Sequence, residues 1–438
     1  MQRALLLSSL GTVLALGTGM GSAQANTEIT WWHAMGGALG DKVEQIAADF
    51  NASQDAYTVT PVFKGNYSET MTSAIAAYRA DKGPDIVQIY EVGTATMMAA
   101  KGAIVPVHRL MASADVDFDP QAYLPAVTGY YTDPEGNMLS LPFNSSTPVT
   151  YYNRERLAQA GVEEIPRTWQ ELGDALEKIV DSGAASCGLT TTWPSWVMLE
   201  NYSAINDVPF ASRANGFEGT DARLRFNRTA VVDHIERLTR WQEDGRFAYG
   251  GRFDDAAPKF YSGECALMMG SSASYANIKE NADFDFGVAP LPYDAEVVEQ
   301  ANNSIIGGAS LWVLNGLDET HRQGVAEFFE YLSTPEVQAD WHQYSGYLPI
   351  TQAAADLTRE QGFYAEHPGT DVAIEQITAG QPTDNSKGLR LGNMVQIRDI
   401  INGALENVFA GDVSPQDGLD QAAARGNELL EKFERANR

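Results

Sequence analysis

Apolar residues along this chain come in short extended bursts that alternate with longer stretches carrying a helical beat. Residues 28–32 read as a first strand. Val43, Ile46, Ala47 and Phe50 then fall on one face of a helix over 40–51, and the run 57–64 returns to strand. A second helix over 68–81, the breaker Pro84 and a strand over 86–90 complete the unit. Such alternation predicts an α/β fold with a parallel, doubly wound sheet, in which ligands bind beyond the carboxyl ends of the strands. His33, Tyr67 and Glu91 all fall at such ends. Each alone has an ordinary reading, as a packed histidine, a helix-start residue and a solvated carboxylate. Together they mark one sheet edge as a candidate site.

The pattern breaks at residues 141–149, where Pro142 and Pro148 fix φ and remove backbone donors. The stretch is expected to be extended and a poor partner in the middle of a sheet, with Asn144, Ser145 and Ser146 offering short polar groups. Because the alternation restarts with a helix capped by Asn153, the stretch reads as a crossing between two lobes. A cleft between lobes is a favoured place for a small ligand; an ordinary polar loop is the alternative.

In the second region Thr168 and Glu171 form a capping-box pair ahead of Leu172, Ala175, Leu176 and Ile179. Trp193 and Trp196 on either side of Pro194 are an aromatic wall or part of a core. A strand from Met268 runs into small residues through Ser271 to Ser274, whose N–H groups at a helix start suit an anion. Residues 305–313 read as strand, the glycine pair Gly307 and Gly308, then strand again. Residues 344–350 form another proline-fixed extended segment containing Tyr347. These two are expected to be the second and third crossings of a three-segment hinge. The lobes would then be 26–145 with 305–347, and 146–304 with 348–438. Ile397, Ile400, Ile401, Ala404, Leu405, Val408 and Phe409 make a helical stripe, and Ser414 with Pro415 opens a last helix. Arg398, at the start of the stripe, is a surface charge or a guanidinium suited to phosphate.

Composition narrows the setting. Arg3, an apolar run over 4–16 and the small residues Ala23 and Ala25 predict an export signal cleaved after Ala25, which would place the product in the periplasm. No later stretch approaches the roughly 18–20 apolar residues of a membrane span. A chain of 438 residues, 44% of them apolar, has material for two cores. The 58 acidic residues outnumber the 30 basic ones, which argues against nucleic acid or an anionic membrane as partner. An anionic ligand would need a local positive site against that field. Cys187 and Cys265 permit a disulfide in an exported chain, with free buried thiols as the alternative.

Catalytic motifs do not occur: there is no GxxxxGK[ST], HExxH, GxSxG or CxxC pattern. Residues 115–119 begin like a calcium loop, but Pro120 stands where the turn glycine belongs and Ala126 where the closing Glu belongs. The histidines are scattered, with no pair at helical ligand spacing. No enzyme, metal or cofactor is expected.

Several stretches are nevertheless specific when taken together: residues 63–67, 90–98, 142–148, 305–313, 346–351 and 388–394. Through them, and over about residues 27–433, the chain resembles the periplasmic glycerol-3-phosphate-binding branch of the extracellular solute-binding proteins of bacterial ABC importers, a family that includes maltose-binding proteins. The resemblance implies a substrate-binding site made of Tyr67, Glu91, Ser146, Ser271, Gly308, Tyr347 and Arg398, with Trp193 lining it. It implies sn-glycerol 3-phosphate or a glycerophosphodiester as ligand, ABC permease subunits as partners, no nucleic acid and a monomeric state. In that reading Arg398 pairs with phosphate oxygens, Ser271 and the Gly308 region donate to them, and Glu91 accepts from the glycerol hydroxyls. Tyr67, Tyr347 and Trp193 pack on carbon, and the aromatics suit a choline group as well. Gly36, Ile205 and Val395 depart from the family pattern, and Ile205 bears on the width of the cleft. A sugar or oligosaccharide binder of the same fold is the nearest rival. A secreted phosphodiesterase or glycosidase using Glu91 is the rival from another class, and it lacks a credible second carboxylate in the sequence.

Overall fold

The computed structural model describes residues 26–438, so the expected export signal lies outside the described residues. The strands in chain order are β1 (Thr27–His33), β2 (Tyr57–Phe63), β3 (Ile86–Tyr90), β4 (Ile104–Val105), β5 (Leu141–Ser146) and β6 (Pro148–Asn153). They continue with β7 (Cys187–Thr191), β8 (Phe247–Ala248), β9 (Cys265–Ser271), β10 (Phe286–Ala289) and β11 (Gly307–Leu314). One sheet has the order β2-β1-β3-β11-β4, with β5 also paired to β11; the other runs β10-β6-β9-β7-β8.

The expected parallel pairing holds for β1 with β2 and β3, and for β7 with β8 and β9. Elsewhere the sheets are mixed. β11 is antiparallel to β3, β4 and β5, and β6 is antiparallel to β9 and β10. Only a strand reached through a crossover helix is constrained to run parallel, and both β6 and β11 enter their sheets directly from a crossing segment.

The stretch 141–149 is extended and passes from one sheet to the other, as expected, but it pairs better than its prolines suggested. It is two buried strands, β5 in one sheet and β6 in the other. Pro148 is the first residue of β6, and Pro142 sits beside the register shift between Ala309 and Ser310, so each proline occupies a place where a missing N–H costs little. The crossing is therefore confined to Thr147. Its hydroxyl donates to Ser304 Oγ (2.6 Å), and the N–H of Leu348 donates to the carbonyl of Ser145 (2.7 Å), which laces all three crossing segments together.

Two other segments differ from expectation. Ile305 and Ile306 are buried but stand outside the ladder, which begins at Gly307. Tyr344 and Ser345 end the helix Pro335–Ser345, closed by Gly346 at φ +81°. The helix Gln352–Glu360 packs back on it. As expected, Asn153 caps Arg154–Gln159, Thr168 and Glu171 form a reciprocal capping box on Trp169–Asp181, and Ser414 caps Pro415–Ala436. Cys187 and Cys265 face each other across β7 and β9 and form a disulfide. The second lobe also holds a buried polar knot: Tyr202, Arg237 and Gln170 all donate to the carboxylate of Asp294 at 2.7–2.8 Å.

Candidate ligand-binding site

A cavity of about 370 Å³ opens between the two sheets. Tyr67, Glu91, Ser146, Trp193, Ser271, Gly308, Tyr347 and Arg398 all border it. His33 does not. It is buried at the end of β1, its Nδ1 accepts the N–H of Met35, and loss of hydration lowers its pKa to about 4.

The floor is set by the turn after β3 and the helix Met394–Phe409. Glu91 is the first residue beyond β3, and Arg398 lies one turn into the helix; they are 2% and 5% exposed. Arg398 Nη2 donates to Glu91 Oε1 (2.7 Å) and to Glu200 Oε2 (2.7 Å), and its Nε donates to Glu200 Oε1 (2.9 Å). Glu200, 1% exposed, also accepts from the Ser195 hydroxyl at 3.1 Å. Burial raises the pKa of Glu91 while Arg398 pulls it down. Burial works against the charge on Arg398, but Glu200 and Glu91 outweigh it and hold its pKa well above the ordinary value. One cation thus serves two carboxylates, and Nη1 is the guanidinium nitrogen with no protein partner among the described residues.

The first lobe contributes Tyr67 at the start of the helix Tyr67–Arg79, which the capping box of Asn66 and Glu69 fixes in place. Its ring stacks on Tyr90 (5.1 Å, 4° between planes). Its hydroxyl accepts from Asn144 Nδ2 (2.8 Å), whose amide is oriented in turn by Gln88. Gly308 has φ +94°, and a Cβ there would overlap the carbonyl of Asn144. This glycine brings bare backbone to the cavity wall beside Ser146. Gly307 is fitted as tightly against the indole of Trp196.

The second lobe adds Ser271 at the end of β9, whose hydroxyl accepts the N–H of Ala273 (3.1 Å), and the aromatic corner of Trp193 and Phe253. Both aromatics have left-handed backbones, φ +49° and +48°, held by the Trp193 N–H donating to the Phe253 carbonyl at 2.7 Å. Bulky residues seldom adopt that region. The strain turns Trp193 toward the cleft, 6.2 Å from the Tyr67 ring, and its Nε1 donates to Asp254 Oδ1 (3.1 Å). Tyr347 closes the remaining side, stacked on Trp341.

A family of known proteins matches residues 45–370 and is described as bacterial extracellular solute-binding protein. The chain belongs to this family. It is 50% identical over 431 residues, 98% of each chain, to the sn-glycerol-3-phosphate-binding periplasmic protein UgpB of Escherichia coli (strain K12). Among solved structures it is similar to UgpB from Mycobacterium tuberculosis in complex with glycerophosphocholine, with a TM-score of 0.79 and 21% identity over 93% of this chain and 99% of that one. It is also similar to maltose-bound MalE3 of T. maritima, with a TM-score of 0.76 and 15% identity over 92% of this chain and all of that one. Both structural likenesses are likenesses of fold.

Against the family pattern, Gly36 lines the central cavity, whereas Ile205 does not bear on its width. Ile205 is buried and borders a separate hollow of about 730 Å³ in the second lobe. Two acidic residues escaped the sequence reading. Glu200 lies in a π-helical turn, Ser195–Asn201, where its one signal is a lone carboxylate after an apolar run, a placement that demands a buried partner. Asp254 sits in a loop between Phe253 and Asp255, without periodicity to point to it.

Proposed function

We propose that this chain is the periplasmic capture component of a bacterial ABC importer, closing around sn-glycerol 3-phosphate or a glycerophosphodiester and handing it unchanged to membrane permease subunits. The observation that carries the reading is the meeting, in one cavity, of a tethered Arg398–Glu91 pair with the hydroxyls and bare backbone of Ser146, Ser271 and Gly308. The E. coli relative named for glycerol 3-phosphate, alike over nearly the whole of both chains, supports the same ligand.

In this reading the phosphate is held by the free Nη1 of Arg398 and by hydroxyl and N–H donors, because the guanidinium's other nitrogens are committed to carboxylates. Glu91, pinned by Arg398, accepts from the glycerol hydroxyls. Tyr67, Trp193 and Tyr347 cover the carbon skeleton. The lobes are 26–145 with 305–347 and 146–304 with 348–438, except that the helix Gln352–Glu360 travels with Pro335–Ser345, on which it packs; they hinge on the three crossings, and the ligand favours closure by binding the closed form better. The protein works as a monomer, with no part for nucleic acid.

Calorimetric titration of ligand-stripped protein with glycerol 3-phosphate, glycerophosphocholine and maltose at one salt concentration tests this. One-to-one binding of a phosphate compound, without heat from maltose, is expected. Binding of maltose alone would overturn the ligand assignment and point to the sugar-binding rival.

A further inference from the structure

The cavity is electrostatically lopsided. Arg398 is the one cation on its lining among the described residues, and Glu91 and Glu200 already neutralise it. The lining also carries the carboxylate of Asp254, hydrogen-bonded to Trp193 and next in sequence to Phe253, with no cation paired to it among the described residues. Its Oδ1 takes the indole N–H of Trp193, and its Oδ2 has no partner among the described residues. The nearest arginine in the chain, Arg252, is bound on two nitrogens to Glu406 at 2.6 Å. A bare phosphate monoester brings up to two further negative charges into this surrounding, whereas a diester with a cationic head brings its own compensation. An aromatic face beside a carboxylate is the pairing that attracts an ammonium group.

We propose that Asp254 is the specificity-determining residue of this site, with the aromatic corner of Trp193 and Phe253 receiving an ammonium or trimethylammonium headgroup and the carboxylate selecting it over neutral heads. The proposal rests on the glycerophosphate reading above and names the class of diester within it. Asp254 is itself open to the cleft, and the thinned hydration between the surrounding walls lifts its carboxyl to about 6, with Trp193 opposing and Asp255 reinforcing the rise. The titratable groups facing it are Asp255 on its own loop, Tyr261 at the end of the helix Ala257–Tyr261, and Tyr347 from the third crossing. Both tyrosines stay neutral below pH 8, because burial raises them. Selection for a cationic head should therefore be present at pH 7.5 and fade by pH 5.

The test compares two diesters whose phosphates carry the same charge across that range, glycerophosphocholine and glycerophosphoglycerol, by calorimetry on wild type and Asp254→Asn. Wild type at pH 7.5 should prefer the choline diester. The variant should lower the ratio of the two affinities by about tenfold, the scale of one ion pair partly open to water. The variant should also tighten glycerol 3-phosphate, a change of sign that damage to the fold would not give. Should the variant fail to fold, wild type at pH 5 supplies the same comparison, with the ratio expected to fall. A ratio unmoved by the substitution and by pH overturns the role of Asp254 while leaving the glycerophosphate reading standing. Failure of wild type to bind either diester or glycerol 3-phosphate overturns both.

Discussion

Replacing Arg398 by Met keeps much of the side-chain volume and removes one charge, so it isolates the electrostatics of the cavity floor. The substitution deletes three charge-assisted hydrogen bonds of 2.7–2.9 Å and leaves Glu91 and Glu200, both almost fully buried, without a cation. Breaking a buried ion pair by removing one partner costs about 3–5 kcal/mol. Two carboxylates are stranded here, which pushes the loss toward the top of that range until one of them takes up a proton. Burial already raises Glu91, and losing Arg398 raises it further. A carboxyl with a raised folded pKa binds more protons in the folded state. Its stabilising contribution is therefore full below the unfolded value and is lost as pH rises through the folded one. Urea unfolding at pH 8, 6 and 4.5 should show a deficit of about 4 kcal/mol at pH 8 that shrinks toward acid, and adding Glu200→Gln should recover part of it. Affinity for glycerol 3-phosphate should fall by several kcal/mol alongside. A deficit below about 1 kcal/mol at pH 8 with no trend would refute the buried triad, since that is what an exposed pair gives. Affinity within about threefold of wild type would remove Arg398 from the ligand site.

Further consequences are open to direct measurement. Hydrogen bonds from Gln170, Arg237 and Tyr202 overcome the effect of burial and hold Asp294 down to about 2. Asp294→Asn should therefore cost about 2 kcal/mol near neutral pH in chemical denaturation, and the deficit should shrink as acid protonates the wild-type carboxylate toward pH 2. Reducing the bond between Cys187 and Cys265, which spans 78 positions of sequence, should lower stability by about 2–4 kcal/mol without changing the ligand set. Gly308→Ala should weaken ligand binding by more than about tenfold, because the new methyl must displace the Asn144 carbonyl from a left-handed position. Unchanged affinity there would show that the bare backbone at Gly308 is dispensable.

Much of the frame was legible because local chemistry and tertiary packing agree. Val43, Ile46, Ala47 and Phe50 are buried on one helix face, and the caps at Asn153, Thr168 and Ser414 sit where their side chains satisfy helix-start N–H groups. Residues 141–149 misled because a proline's cost depends on its place in a ladder, and only the pairing partners reveal that Pro148 starts a strand. The direction of β6 and β11 was likewise set by long-range connection. Eight of the residues around the cavity were found from strand ends, small-residue turns and family resemblance. What sequence could not show was the state of Arg398, since its two carboxylates come from residues 91 and 200, far from it along the chain. Asp254 escaped for a related reason: its neighbours across the cavity arrive from other parts of the chain.

The single-residue junction at Thr147 gives the molecule the geometry of tongs. With Ser146 and Pro148 already in rigid ladders on either side, and the other crossings stitched to residues 145 and 147, the fulcrum sits against one of the walls that would grip the ligand. A small rotation there leaves the grip near Ser146 almost stationary and is magnified with distance along each arm. Gly37 and Asn277, which approach each other on the cavity lining, would be carried by such a rotation. On the proposed reading, a ligand that slightly reshapes the base would be converted into a larger displacement at the far rim, the part of the molecule open to a permease partner.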